Sequence, residues 1–270
     1  MQKPPVRTIT LGLEETHPLP ATKITQAASV LKNAQKRFNE AGYEVQTIRL
    51  STRPLFDDLA DWSTERIVSY VLELQKILDE VELGYCSLGP AQAAQPTFKL
   101  RHIELIPELL ATTHSICLTT QLADRKHGLR EEAALPIAHA MKRLANETSE
   151  GFGNFNFAML ACVDPGTPFF PAAYHNGPAT LSLGLQGASI IRGVAENWQK
   201  ENRQQVLASS EISTRVQNAL EEQARPIVAL GQELASEYTL QFGGIDLSPA
   251  PMGGDSITSA IEAFGYGILG

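Results

Sequence analysis

The alternation of two hydrophobic periods along the chain constrains its fold more than any other feature. VRTITLGL, Val6 to Leu13, puts Ile9, Leu11 and Leu13 on one face and Thr8, Thr10 and Gly12 on the other, the period of two that a strand requires. Ile24, Ala27, Ala28, Leu31, Ala34 and Phe38 then recur at three- and four-residue steps, a helical stripe that Gly42 is placed to end. A second strand reads YEVQTIRL, Tyr43 to Leu50. Ser63 can cap a helix carrying Ile67, Val68, Val71, Leu72, Leu74 and Leu78, and LGYCSLG from Leu83 reads as a short buried strand.

The same order continues with helices near 100–110 and 130–147 and strands near 115–120, 155–163 and 179–185. A long helical region follows over 188–237, with breaks expected near Ser209 and Pro226, and then a last strand, Leu240 to Leu247. Pro107 and Pro136 are expected to kink or restart their helices. Repeated strand–helix order predicts an α/β protein in which helices cover a barrel-like or open, mostly buried sheet. No composition shift marks a boundary, so residues 1–270 read as one domain.

Composition narrows the partners. With 43% hydrophobic residues the chain can bury a sizeable core, and a formal charge of −8 gives no whole-molecule field for nucleic acid or anionic lipid. The first seven residues hold two prolines and no signal-like apolar run, and no later stretch reaches the roughly 18 to 20 apolar residues of a membrane span. Cys86, Cys117 and Cys162 lie far apart in apolar stretches, without the spacing of a zinc or redox site, and read as buried free thiols. The expectation is a cytoplasmic protein with no metal site, no membrane partner and no nucleic-acid partner; the sequence names no cofactor.

Two proline- and glycine-rich stretches hold the candidate chemistry. FNFAMLACVDPGTPFFPAAYHNGPATLSLGL, Phe155 to Leu185, leaves a strand through a run of prolines that presets the backbone around Tyr174, His175 and Asn176. His175 can exchange a proton near neutral pH, bind a metal or hydrogen-bond a ligand; bonding to nearby carbonyls in the turn is the plainer role. GGIDLSPAPMGGDSITSAIEAFG, from Gly243, places Asp246 at a strand's carboxyl end, where α/β proteins collect ligand-binding groups. Gly253 and Gly254 then lead to Asp255 or Ser256 as a helix cap, with Ile257, Ile261 and Phe264 on the apolar face. No lysine follows those glycines, so this is no P-loop. Arg7, Arg49 and Arg53 lie beside or after strands; an inward-facing arginine could pair a substrate carboxylate, and a surface salt link is the plainer role. His17, His102, His127 and His139 share no pattern and read as solvated or core-bonded, while Asp124 could join a site at its strand's end.

Four segments together, RTITLGL, AGYEVQTIRLSTRP from Ala41, VDPGTPFFPAAYH from Val163 and GGIDLSPAP followed by GDS, resemble the uncharacterised domain-of-unknown-function 711 family over nearly the whole chain. The resemblance implies a fold similar to pyruvate formate-lyase-like α/β barrels. Members of that family are longer, so it also implies a short or truncated form with barrel closure left open. It carries no established substrate, and kinship of fold does not transfer radical chemistry. The dispersed cysteines and a terminal GYG without its arginine–valine surroundings argue against a glycyl-radical enzyme.

Two readings stand at this point. In the first, the chain is an enzyme acting on a small polar or anionic metabolite, with His175 as acid or base and Asp246 orienting it or the ligand. Asn156 and the Gly254, Asp255 and Ser256 amides would then bind oxygen atoms. In the second it is a non-catalytic metabolite-binding or self-associating module, because no nucleophile–base motif is present.

Overall fold

A computed structural model describes residues 3–202, 209–249 and 256–265. The chain runs β1 (Val6–Gly12), α1 (Ala21–Glu40), β2 (Val45–Ser51), α2 (Leu55–Asp58), α3 (Thr64–Glu80) and β3 (Cys86–Ala91). A 3₁₀ turn over Leu100–Leu105 leads into α4 (Ile106–Ala111), then β4 (Ile116–Asp124), the two-residue β5 (Gly128–Leu129) and α5 (Ala134–Glu147). A 3₁₀ segment, Ser149–Phe155, precedes β6 (Phe157–Ala161), β7 (Thr180–Leu185), α6 (Ala188–Asn202), α7 (Ser209–Glu237), β8 (Gln241–Asp246) and α8 (Ile257–Ala263).

The strands form one eight-stranded sheet in the order β5-β4-β3-β2-β1-β7-β8, with β6 also paired to β4. The order is linear, so the sheet is open among the described residues and not closed into a barrel. β2, β3, β4 and β6 pair in parallel, with Leu50 opposite Cys86, Cys86 opposite Ile116 and Leu118 opposite Phe157. The short β5 runs antiparallel to β4. Parallel pairing puts the carboxyl ends of these strands along one rim, which is where a site would be assembled.

Contacts gather the chain into two compact units: one takes in the chain to Ile9, Ala34–Thr47 and the chain from Ser182; the other takes in Thr10–Asn33 and Ile48–Leu181. In the second unit β3 is buried at all six residues and β4 at its first six, as a strand covered on both faces must be. Part of that cover is the proline-rich stretch between β6 and β7. The Ser87 hydroxyl donates to the Ala173 carbonyl, the His175 backbone N–H donates to the Thr52 carbonyl at 2.9 Å, and Tyr174 packs beside Gly89. Gly89, at φ +74°, sits where β3 shifts register against β4; a β-carbon there would lie 2.9 Å from the Pro54 backbone. The bend therefore needs glycine.

In the first unit α7 packs its Gly231 against Leu183 and Phe242, and Arg37 of α1 pairs with Glu233 and with Glu237, the latter at 3.1 Å.

Several expectations are met at residue level. Ile24, Leu31, Ala34 and Phe38 of α1 are fully buried, Ser63 accepts from the Arg66 N–H to cap α3, and α4 restarts at Ile106–Pro107 after the 3₁₀ turn. Two are corrected. α7 runs unbroken through Pro226, because that residue is exposed and water can satisfy the Glu222 carbonyl that loses its partner. Cys162 is exposed: the chain leaves β6 there in a left-handed turn, φ +55°, while Cys86 and Cys117 are buried as expected. The break expected near Ser209 falls beside residues outside those described. Among the described residues no helix is long and apolar enough to cross a membrane, and no group of three or more His, Cys, Asp or Glu is arranged to hold a metal ion.

Candidate functional site

The carboxyl ends of β1 and β2 open onto a cleft of about 640 Å³ lined by Glu14, Glu15, Thr16, Arg53, Asn176 and Gly177, together with Pro18 and Pro20. Three turns contribute: the one after β1, the one after β2, and the proline-rich stretch before β7. Their backbones are tied together by the Leu13 N–H bond to the Ser51 carbonyl, 2.9 Å, and the His175 N–H bond to Thr52.

Arg53 is the cation of this cleft. Its Nε and Nη2 donate to both oxygens of Asp58 at 3.0–3.2 Å, while Nη1 donates to Asn176 Oδ1 at 2.7 Å. The Asp58 side chain is only 6% exposed and accepts a further bond from the His17 backbone N–H at 3.0 Å. Pairing of this forked kind fixes the guanidinium plane and holds Arg53 charged; its pKa is raised, chiefly by the hydrogen bond to Asp58. On the other wall Glu15 pairs with Lys23 at 2.6 Å and Glu14 is exposed.

Beneath the cleft a buried chain of hydrogen bonds supports these groups. The Arg53 carbonyl beside His17 Nε2 can only accept, so Nδ1 of the neutral ring is the acceptor and takes the proton of the Tyr70 hydroxyl at 2.8 Å, while that hydroxyl accepts from the Leu19 N–H, also at 2.8 Å. That assigns the remaining ring proton to Nε2, which donates to Thr52 Oγ1 at 2.9 Å and toward the Arg53 carbonyl at 3.2 Å. Burial drives the His17 pKa down to about 4 against the pull of the Asp58 carboxylate, so the imidazole is neutral at pH 7. Burial likewise pushes the Tyr70 phenol above its usual value.

His175 lies next to this cleft but does not open into it. It is 6% exposed, its Nε2 bonds to the carbonyls of Gly177 at 3.2 Å and Pro178 at 2.9 Å, and its ring rests on Gly12. Those carbonyls can only accept, so the proton is on Nε2. Asn156 stands at the other end of the strands, just before β6, where its Oδ1 lies 3.7 Å from the Cys117 sulfur and it borders a separate cavity. Asp246, at the end of β8, is held by Arg7 and by Ser248, whose N–H and hydroxyl donate to it at 2.8 and 3.0 Å. Ser256 caps the seven-residue α8 by accepting from the Ser259 N–H; Ala260 is the buried residue of that helix and Ile261 is exposed. Gly254 and Asp255 lie outside the described residues. Asp124 is spent locally: His127 Nδ1 and two backbone N–H groups donate to it, which holds its carboxyl below the usual range.

His17, Asp58 and Tyr70 are the supporting residues that sequence reasoning passed over. Their partners lie 35 to 53 residues away, apart from the Arg53–Asp58 pair, so no local spacing reveals them. The available signal was a pair of turns, EETH and STRP, each directly following a strand.

The family model described as "Uncharacterised ACR (DUF711)" matches residues 1–270. Curated relatives include a UPF0210 protein of Methanococcus aeolicus, 25% identical over 90% of this chain and 55% of its own length. UPF0210 proteins of Methanocaldococcus jannaschii and Acetivibrio thermocellus are each 25% identical, over 98% and 96% of this chain and 62% and 61% of theirs. The chain thus spans somewhat over half the length of the curated relatives it matches.

Proposed function

The chain belongs to the DUF711 family, and from the cleft at the ends of β1 and β2 we propose that it binds a small polar metabolite carrying an anionic group. One observation carries the reading: Arg53 is held by Asp58 through three hydrogen bonds, with its Nη1 edge beside Asn176 on the cleft wall. A guanidinium fixed before the ligand arrives loses little conformational entropy when it takes up a carboxylate or phosphate. Glu14 and Glu15 on the same cleft oppose a highly charged anion and suit a ligand that also bears a positive group. A zwitterion, carboxylate to Arg53 and ammonium to Glu14, satisfies both walls.

The enzymatic form of the proposal keeps His175 as the proton-carrying group and Asp246 as an orienting carboxylate. The carbonyl partners of His175 Nε2 favour the binding form, in which His175 positions Asn176. A cytoplasmic setting and self-association stay within the proposal. So does the pyruvate formate-lyase-like barrel, of which an open sheet with β2, β3, β4 and β6 in parallel and a turn laid over their carboxyl ends would be an arc.

The test is a thermal-shift screen of amino acids and small carboxylates, followed by calorimetry on hits. Arg53→Met and Glu14→Gln are each expected to weaken binding at least tenfold, with Cys162→Ser unchanged. Unaltered affinity in both cleft variants would end the proposal. Turnover of a bound compound, lost in His175→Ala and Asp246→Asn, would select the enzymatic form.

A further inference from the structure

At the amino ends of β3, β4 and β6 lies a second cavity, of about 410 Å³, walled by four aromatic rings: Tyr85, Phe152, Phe155 and Phe170. Its aromatic content is not explained by the core. Phe152 and Phe155 stack on each other, centroids 4.8 Å apart and planes at 28°, yet are 61% and 71% exposed. Two phenylalanine faces exposed side by side at one cavity mouth leave in water apolar surface that the core does not use. The other two rings are held rigidly: Tyr85 and Phe170 meet edge to face at 6.2 Å, and Arg49 lies over both at 5.1 and 4.9 Å.

The polar lining of this cavity is Arg49, held over the Tyr85 and Phe170 rings, His114, whose Nε2 lies 2.9 Å from Asp79, the Cys117 thiol and Asn156. Asn156 has its backbone fixed at both ends, its N–H donating to Gly153 and its carbonyl accepting from Leu118, at 3.1 and 3.0 Å. Its side-chain oxygen receives only the long contact from the Cys117 thiol, and its amide nitrogen makes no hydrogen bond among the described residues. A carboxamide offers one donor and one acceptor side by side, the pattern that matches the edge of a nitrogen heterocycle. A hydrocarbon ring would leave that amide unanswered.

We propose that this cavity is a binding site for a free planar nitrogen heterocycle of nucleobase size, stacked on the Phe152–Phe155 pair and read by the Asn156 amide. The chain's net charge of −8 opposes a polynucleotide and leaves a free base or nucleoside as the occupant. The site is independent of the Arg53 cleft: the two share no lining residue.

The probe is 2-aminopurine riboside, whose fluorescence is quenched when it stacks on an aromatic ring. The full chain is expected to quench it saturably. Phe155→Ala should raise Kd at least tenfold, about 1.4 kcal/mol and within the range of base–aromatic stacking. Phe155→Trp should restore binding, which separates loss of stacking from loss of fold. Asn156→Leu should weaken 2-aminopurine riboside while leaving quenching of N-methylated purines less affected, and Arg53→Met should leave both intact. Absence of saturable quenching at millimolar probe would overturn the assignment, as would an unchanged Kd in Phe155→Ala. Tighter binding of a single-stranded oligonucleotide containing the same base would overturn the choice of a free base.

Discussion

The ring of His175 fills the space that a side chain at residue 12 would need: a β-carbon on Gly12 would lie 2.4 Å from Nδ1 and 2.5 Å from Cγ. β1 and the proline-rich stretch before β7 therefore meet without a gap, and that contact sets where Asn176 enters the cleft.

Gly12→Ala is expected to push the imidazole off its two carbonyl partners and to destabilise the fold by about 1–3 kcal/mol, the usual penalty for an added methyl group in a packed site. Urea melts check the size. Adding His175→Ala should recover part of the loss, because the second change removes the clash; strictly additive losses would show that the two residues are not coupled.

Replacing Arg53 tests the other side of the cleft. Arg53→Met leaves the nearly buried Asp58 with the His17 N–H as its remaining described partner, and a loss of about 1–3 kcal/mol is expected, less than for a fully buried pair because the Arg53 side chain is 28% exposed. Arg53→Lys keeps the charge but not the fork, so it should fall between wild type and Met. Equal stability of all three in thermal melts would show that Asp58 needs no cation.

These contacts mark how far the sequence alone reaches. Strands and helices were legible because their periods are local: Ile9 and Leu11 on β1 with Leu13 just past its end, the Ile24-to-Phe38 stripe of α1, the Ser63 cap. Pro226, on an exposed position of α7 with the Glu222 residue four positions before it also exposed, breaks nothing, and only burial tells it from a proline that would. The turns at the strand ends were legible as candidate sites, and Arg53 was among the residues named. What it does was not, since Asp58 lies nearby but Asn176 is 123 residues away. His175 looked reactive because histidine titrates near neutrality; the carbonyls of Gly177 and Pro178, two and three residues on, give it a mainly structural position. His17 looked ordinary because Tyr70 and Thr52 reach it only through the fold.

Thiol chemistry separates the three cysteines. Burial raises the Cys86 thiol far above its ordinary value and pushes Cys117 up to about 12, whereas Cys162 is exposed. Iodoacetamide at pH 8 should label native protein once, at Cys162, and unfolded protein three times. Mass spectrometry of peptides reads the sites; native labelling of Cys117 ahead of Cys162 would contradict the packing around β4.

The buried His17 makes stability depend on pH in a defined window. Its pKa falls from the ordinary 6.5 to about 4 on folding, so between those values the unfolded chain binds the extra proton and the folded chain does not. Its contribution to stability is therefore complete above pH 6.5, declines as acid is added, and is gone below about pH 4; integrated over the window it amounts to about 3 kcal/mol. Asp124 and Glu147, whose carboxyls are held below their usual range by their partners, lose their contributions only at lower pH, whereas Asp57, raised to about 6 by burial, titrates inside the His17 window with the opposite sign. His17→Gln retains a donor and an acceptor for Thr52 and Tyr70 but cannot titrate. It should be less stable than wild type at pH 7.5, and that difference should shrink as pH falls from 6.5 to 4, measured by urea unfolding at half-unit steps; Asp57 gives both proteins the same opposite slope and cancels from the difference. An identical slope in both proteins across that interval would mean that His17 is protonated in the folded state and that the Tyr70–His17–Thr52 chain carries its protons differently.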